Sequence, residues 1–392
     1  MNWIQTQFQN RRLFWGILII SVLVKVLIVI FLTPVVLGAY PANDSRTYDR
    51  LGWKITNQWR SGHWESPALA TQTGLRIVAF SYIVGAIYFL VGRQPIAVQW
   101  VNILISTLGA WLFFLASRKM QAKGAEIAFL LIAFWPSLLL WTSLPLKEAW
   151  TFMLVGLLAY GVVLMMERSW LPALSSILGS LAGLLLLRPW LATVAIVGIF
   201  PWWLGLYFRD MWQQQTASQR TSILVLILGI AGAIVYLGVQ FSVVTSPFSL
   251  ETLNILRGRA LKGGSALELA PYQSWLDVII YFPWGFFTFL FRPFFWEAGN
   301  LFGSLAALEN LILLILTLAS VRWWWPYLKQ TPSFLPLFLL TIGIVSVFAI
   351  LGGNLGTMFR LKIHVLPFLL ILVTYSMINS FKPSELLKNH PI

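Results

Sequence analysis

The sequence predicts an all-α protein, a polytopic bundle of membrane-crossing helices, on three observations. Charged residues make up only 10% of the 392-residue chain against 58% apolar types, too little charge to cover a water-soluble surface. Apolar runs of about 20 residues, the length a helix needs to cross hydrocarbon, recur from end to end, and mean hydropathy is +0.79. These runs do not alternate as the strands of a closed barrel would; Leu184-Leu185-Leu186-Leu187 is one example. Within lipid the backbone must satisfy its own polar groups, and a non-alternating chain does so as helix.

Arg11 and Arg12 precede the first run, 13–37, which is too long for a cleavable leader and lacks a small-residue cleavage site. It reads as a first span with its amino end in the cytoplasm, followed by a polar outer loop, 38–73. The later runs are 74–92, 96–117, 125–143, 149–166, 171–187, 190–208, 222–241, 278–295, 301–320, 333–351 and 363–381. If all crossed, Arg118-Lys119, Glu167-Arg168 and the pair Arg209 and Arg220 would face outward, against the positive-inside rule. Exempting 74–92, which carries Arg76, and 278–295, which carries Pro283, Arg292 and Pro293, returns those loops to the cytoplasm. The expectation is about ten crossings plus two non-crossing hydrophobic segments in a single integral domain, 1–392, with a second outer loop at 242–277.

The formal charge of +14 would suggest nucleic acid in a soluble protein. Here the lysines and arginines flank apolar runs, where they set topology and meet anionic membrane lipids, so no nucleic-acid partner is expected. Tryptophans such as Trp323-Trp324-Trp325 fit an interfacial belt. The absence of cysteine excludes disulfides, thiolate nucleophiles and zinc–thiolate sites. His63, His364 and His390 are scattered, and Gly263-Gly264 and Gly352-Gly353 lack the spacing of nucleotide-binding loops, so neither metal nor cofactor is expected.

This topology gathers the unusual polar groups on the outer side. The stretch 40–50, Tyr-Pro-Ala-Asn-Asp-Ser-Arg-Thr-Tyr-Asp-Arg, is dense in charge for a chain with only 13 acidic residues. Asp44, beside Arg46 and Tyr48, is the candidate base or acceptor-orienting carboxylate; a helix cap is its plainer role. Asp49 is expected to pair with its neighbour Arg50. After Pro145, Glu148 sits either in a first helical turn, where the dipole favours it, or as a second acid facing Asp44, with Lys147 on an anion. Arg188 and Arg292 each precede a proline at a hydrophobic boundary, and Arg360, Lys362 and His364 open the last helix. Guanidinium forks suit phosphate oxygens, and several converging cations would stabilise a phosphate leaving group. Singly, snorkelling at the interface accounts for each. Lys25 and Glu309 lie inside spans, roughly 18 and 12 Å below the outer ends. Ionised there, each costs at least about 3 kcal/mol, so they are expected to pair.

Asn43-Asp44-Ser-Arg-Thr-Tyr48 after a first span, Lys147-Glu148 at a proline-marked junction, and Gly356-Thr-Met-Phe-Arg-Leu-Lys-Ile-His-Val-Leu-Pro367 near the end together resemble the GT-C superfamily. These are integral-membrane glycosyltransferases, including protein O-mannosyltransferases and the lipid A aminoarabinose transferases. The resemblance implies a polyprenyl-phosphate-linked sugar as donor and a lipid, glycan or protein acceptor on the outer face of a bacterial plasma membrane. It also implies Asp44 as the acceptor-activating carboxylate, Glu148 as a second acid, and Arg360 and Lys362 as the basic pair meeting donor phosphate. Two other classes stay open. One is a transporter or flippase of a lipid-linked or anionic solute. The other is a polysaccharide polymerase or ligase using the 242–277 loop, with Arg257, Arg259 and Lys262.

Overall fold

A computed structural model describes residues 11–37, 43–64, 75–120, 124–199, 249–261 and 265–380. The expected span 222–241, the loop with Arg209 and Arg220, and Lys262 lie outside the described residues. Among the described residues all regular structure is helical, and the one pairing of extended backbone is an isolated bridge between Ala266 and Asn354. Five helices among the described residues are long and apolar enough to cross a membrane, or up to seven if each of two bent pairs is one span. The protein is thus a helical, membrane-embedded one. The segments exempted from crossing form shorter apolar helices, as do Pro189–Ile199 and Leu335–Leu351.

The chain divides into two compact units, one made of residues 1–192, 312–335 and 363–392, the other of 193–311 and 336–362. The first unit opens with α1 (Arg11–Leu27), which continues over Ile28–Leu37 with the wider spacing of a π-helix. Pro34 supplies no N–H there, and the Thr33 hydroxyl donates to the Ile28 carbonyl five residues back at 3.1 Å. The polar stretch expected as loop is helical from residue 43 onward: α2 (Asn43–Arg60). Its buried Tyr48, Leu51 and Ile55 recur at helical spacing and form one face. That face packs on α3 (Leu75–Val91) through two glycines. A Cβ on Gly52 would lie 2.5 Å from Val84, and Thr56 Oγ1 donates to the Gly85 carbonyl at 2.9 Å.

Next come α4 (Pro95–Met120), α5 (Ala125–Phe134), α6 (Pro136–Ser143), α7 (Glu148–Met166) and α8 (Trp170–Leu187). The run 125–143, expected as one span, is broken into α5 and α6, which meet at 55°. Pro136 has no N–H to donate and forces Trp135 into extended backbone (φ −63, ψ 124). Helices α4 and α7 approach until a Cβ on Gly156 would stand 2.9 Å from the Gly109 carbonyl. Ser180 Oγ on α8 donates to the Leu154 carbonyl at 2.7 Å. Later residues of the same unit add the stacked rings of Tyr327 and Tyr375, 4.9 Å apart.

The second unit contains α9 (Leu250–Ala260), α10 (Trp275–Phe291), the start of α11 (Leu301–Ser320), α12 (Leu335–Leu351) and α13 (Leu355–Leu361). Gly285 lets α10 touch α12, where a Cβ would fall 2.0 Å from the Ala349 carbonyl; Phe289 stacks on Phe348 beside it. The 265–267 stretch is stitched to the turn before α13: Leu267 N donates to Gly353 O at 2.8 Å and Leu355 N to Ser265 O at 2.9 Å. Asn354 caps α13, its side chain accepting from Thr357 N at 2.9 Å.

One expectation is corrected by this frame. Arg360, Lys362 and His364 do not open the last helix; Arg360 is on α13 and the others form a short turn after it. The last helix, Leu366–Ser380, starts beyond Val365, because Pro367 cannot donate into the preceding turn. Lys25, expected to pair with Glu309, finds an acceptor within its own unit. Its Nζ donates to Ser106 Oγ on α4 at 2.7 Å, since a hydroxyl on a packed neighbour suffices as acceptor. Glu309 acts electrostatically on Lys362.

Candidate functional site

In the first unit Asp44 occupies the first turn of α2, half-buried, and Arg46 is exposed. Tyr48, expected to face a substrate, is 3% exposed, its ring edge-on to Phe80 at 4.8 Å. The buried carboxylate of this helix is Asp49. Its Oδ1 accepts from Tyr88 OH at 2.7 Å and its Oδ2 from Arg93 Nη2 at 2.6 Å. The expected Asp49–Arg50 pair is replaced by one with Arg93, because adjacent residues on a helix do not face each other. Ser45, Tyr48, Asp49 and Tyr88 line a small cavity to which Pro145 also contributes.

Pro145 belongs to the connector ahead of α7, and Asn102 of α4 holds that connector in shape. Asn102 Nδ2 donates to Leu144 O at 2.6 Å and to Leu146 O at 2.8 Å, while Trp150 Nε1 donates to Asn102 Oδ1 at 3.1 Å. The connector delivers Lys147 and Glu148, both buried, to the start of α7. Glu148 forms an ion pair with Arg188, just past the end of α8, and Lys147 Nζ donates to Leu187 O at 2.9 Å. Lys147 and Arg188 therefore close the carboxy end of α8 where its carbonyls lack helical partners. Thr151 Oγ1 donates to Glu148 O at 3.2 Å and shares a hydrogen bond of 2.9 Å with His364 Nε2. His364 is fully buried, with the Trp190 ring edge-on to it.

The second unit holds the remaining candidates. Lys362 is 1% exposed, and its ammonium donates to Leu290 O at 3.0 Å, Arg292 O at 2.9 Å and Asn310 Oδ1 at 2.6 Å. All three of its donors serve the end of α10 and a neighbouring amide. Arg292 is paired with Glu297, whose second oxygen accepts from Phe294 N at 2.9 Å. Arg360 lies half-buried on α13. Lys362 and Arg292 thus act as structural clasps within their own unit. Among the described residues no group of three His, Cys, Asp or Glu is arranged to hold a metal ion.

Five residues of the first-unit cluster carry no local signal in the sequence: Tyr88, Arg93, Asn102, Thr151 and, as a buried group, Asp49. The one available hint was the helical spacing of Tyr48, Leu51 and Ile55, which turns Asp49 inward beside them. No family model, curated protein or solved structure matches this chain.

Proposed function

We propose that the chain is a GT-C-like glycosyltransferase of a bacterial plasma membrane, with about ten crossings, acting at the outer face. It moves a sugar from a polyprenyl-phosphate carrier to a lipid, glycan or protein acceptor. The observation that carries the reading is a convergence: Ser45, Tyr48 and Asp49, from the first polar segment, line the same cavity as Pro145, from the connector that delivers Lys147 and Glu148. Asp44, next to Ser45 and less enclosed than Asp49, takes the acceptor hydroxyl's proton or orients it. The acceptor oxygen attacks the anomeric carbon, the bond from that carbon to the phosphate oxygen breaks, and the phosphate leaves on its lipid. Lys147 and Arg188, buried beside that connector, are the cations placed to favour this departure. The test is transfer from a labelled polyprenyl-phosphate sugar by the purified full-length protein. Asp44→Asn is expected to abolish transfer with folding intact; unchanged turnover removes Asp44 from the role.

A second reading, transport of a lipid-linked or anionic solute, is favoured by the broken helices, one at Trp135-Pro136 and one at Val365. Counterflow in sealed vesicles without a covalent product would support it.

A further inference from the structure

The second unit contains a buried guanidinium that meets no counter-charge among the described residues. Arg257, on α9, is 3% exposed. Its Cζ lies 3.8 Å from the centre of the Tyr272 ring and 4.9 Å from that of Tyr281. Its Nε is buried with no hydrogen-bond partner, and among the described residues the side chain makes neither an ion pair nor a hydrogen bond. The other buried cations described above are handled differently: Arg188 has Glu148, Lys362 has three oxygens and Lys25 has Ser106.

The arrangement around Arg257 is a built one. Asn254, one turn earlier on α9, clamps the backbone of Tyr272 from both sides: Nδ2 donates to Tyr272 O at 2.8 Å and Oδ1 accepts from Tyr272 N at 2.9 Å. The Tyr272 hydroxyl donates to Ile350 O at 3.1 Å, which fixes the ring under the guanidinium. Tyr281, from α10, meets Tyr272 edge-on at 5.9 Å. Burial pushes the Tyr272 phenol up to about 12, so the ring stays neutral and offers Arg257 its negative face. The carboxylates of the same segment are committed or solvated. Asp277 accepts from Gln273 N and Ser274 N, and Glu251 and Glu268 are exposed.

Arginine stays charged at any physiological pH, and stacking on aromatic rings offsets only part of what burial takes away. A pre-positioned guanidinium with unspent donors calls for an anion from outside the protein. We propose that Arg257, with Tyr272 and Tyr281, is a binding site for a phosphate-class oxyanion gripped by the terminal guanidinium nitrogens. Phosphate is the anionic group that a membrane-embedded chain meets in every leaflet. A lipid headgroup and free phosphate share this chemistry. The site does not rest on the glycosyl-transfer reading: it uses none of that reading's residues and stands if no transfer is found.

The test is calorimetric titration of the full-length protein in maltoside detergent with two probes, decyl phosphate and inorganic phosphate. Saturable binding is expected, weakened at least about tenfold by Arg257→Gln and less by Arg257→Lys, which keeps the charge but not the fork. Lys329→Gln, an exposed cation elsewhere, is expected to bind as the parent does. Preference for decyl phosphate assigns the site to a lipid-borne phosphate, and equal affinity assigns it to free phosphate. Absence of binding by both probes overturns the proposal, as does equal affinity in the parent and Arg257→Gln. Should Arg257→Gln not fold, Arg257→Lys decides, and unchanged affinity there overturns it too.

Discussion

Arg188 reaches back across 40 residues of sequence to pair with Glu148, and both side chains are almost fully buried. A buried pair is worth little against apolar packing but is costly to break on one side. Arg188→Met alone is therefore expected to destabilise the protein by about 3–5 kcal/mol. The double replacement Glu148→Leu with Arg188→Met should recover most of that loss. Unfolding of purified protein in mixed detergent micelles measures both.

The two aspartates of α2 should separate under mutation. Asp49→Asn keeps the shape but weakens the bonds from Tyr88 and Arg93, and about 1–2 kcal/mol of stability should go with it. Arg93 is substantially exposed, so its share of that figure is the smaller one. Asp44→Asn is expected to leave the unfolding midpoint alone and to act on turnover only.

Lys362→Met removes the ammonium that satisfies Leu290 O, Arg292 O and Asn310 Oδ1. Two buried acceptors and one partly buried acceptor lose their donor at once, so a loss of about 3 kcal/mol is expected. Detergent-resistant folded yield after solubilisation checks it, and a yield equal to the parent's would contradict the clasp.

Close helix approach gives a steric prediction. Gly285→Ala puts a methyl 2.0 Å from the Ala349 carbonyl, and α10 and α12 must separate, at about 1–3 kcal/mol. Gly179→Ala, with nothing within 4 Å of the new methyl, should be neutral or slightly stabilising. Paired melting curves test the contrast.

Asp277 gives a pH prediction. Backbone N–H groups of Gln273 and Ser274 hold its carboxyl below the ordinary 3.8. A depressed value means that the cap's contribution is present above about pH 3.8 and is lost as pH falls through the lower folded value. Asp277→Ala should therefore lower amide protection at the start of α10 at neutral pH, with the difference from the parent vanishing in strong acid.

The apolar runs made the helical class legible, and several ends were legible too: the run 171–187 is α8 almost residue for residue, and Pro145 marks the start of α7. Two breaks were missed because hydropathy averages over them. Trp135-Pro136 splits an apolar run whose composition stays uniform, and Pro367 sets off the turn at Lys362 from the last helix. Helix α2 was missed because its stretch was weighed by charge, while Tyr48, Leu51 and Ile55 carry its period. In the candidate site, Lys147, Glu148 and Arg188 were named, but their mutual roles were not. The partners of Asp49 lie near and just past the end of α3, that of Lys25 on α4, and no spacing within one segment encodes a contact of that range.

Asn102 also sets a rotational phase. Because one amide grips the carbonyls on either side of Pro145, the number of residues between that grip and Glu148 is fixed, whatever their identity. One added residue would swing the carboxylate about 100° around the α7 axis and away from Arg188. The connector should therefore accept changes of side chain more readily than any change of length.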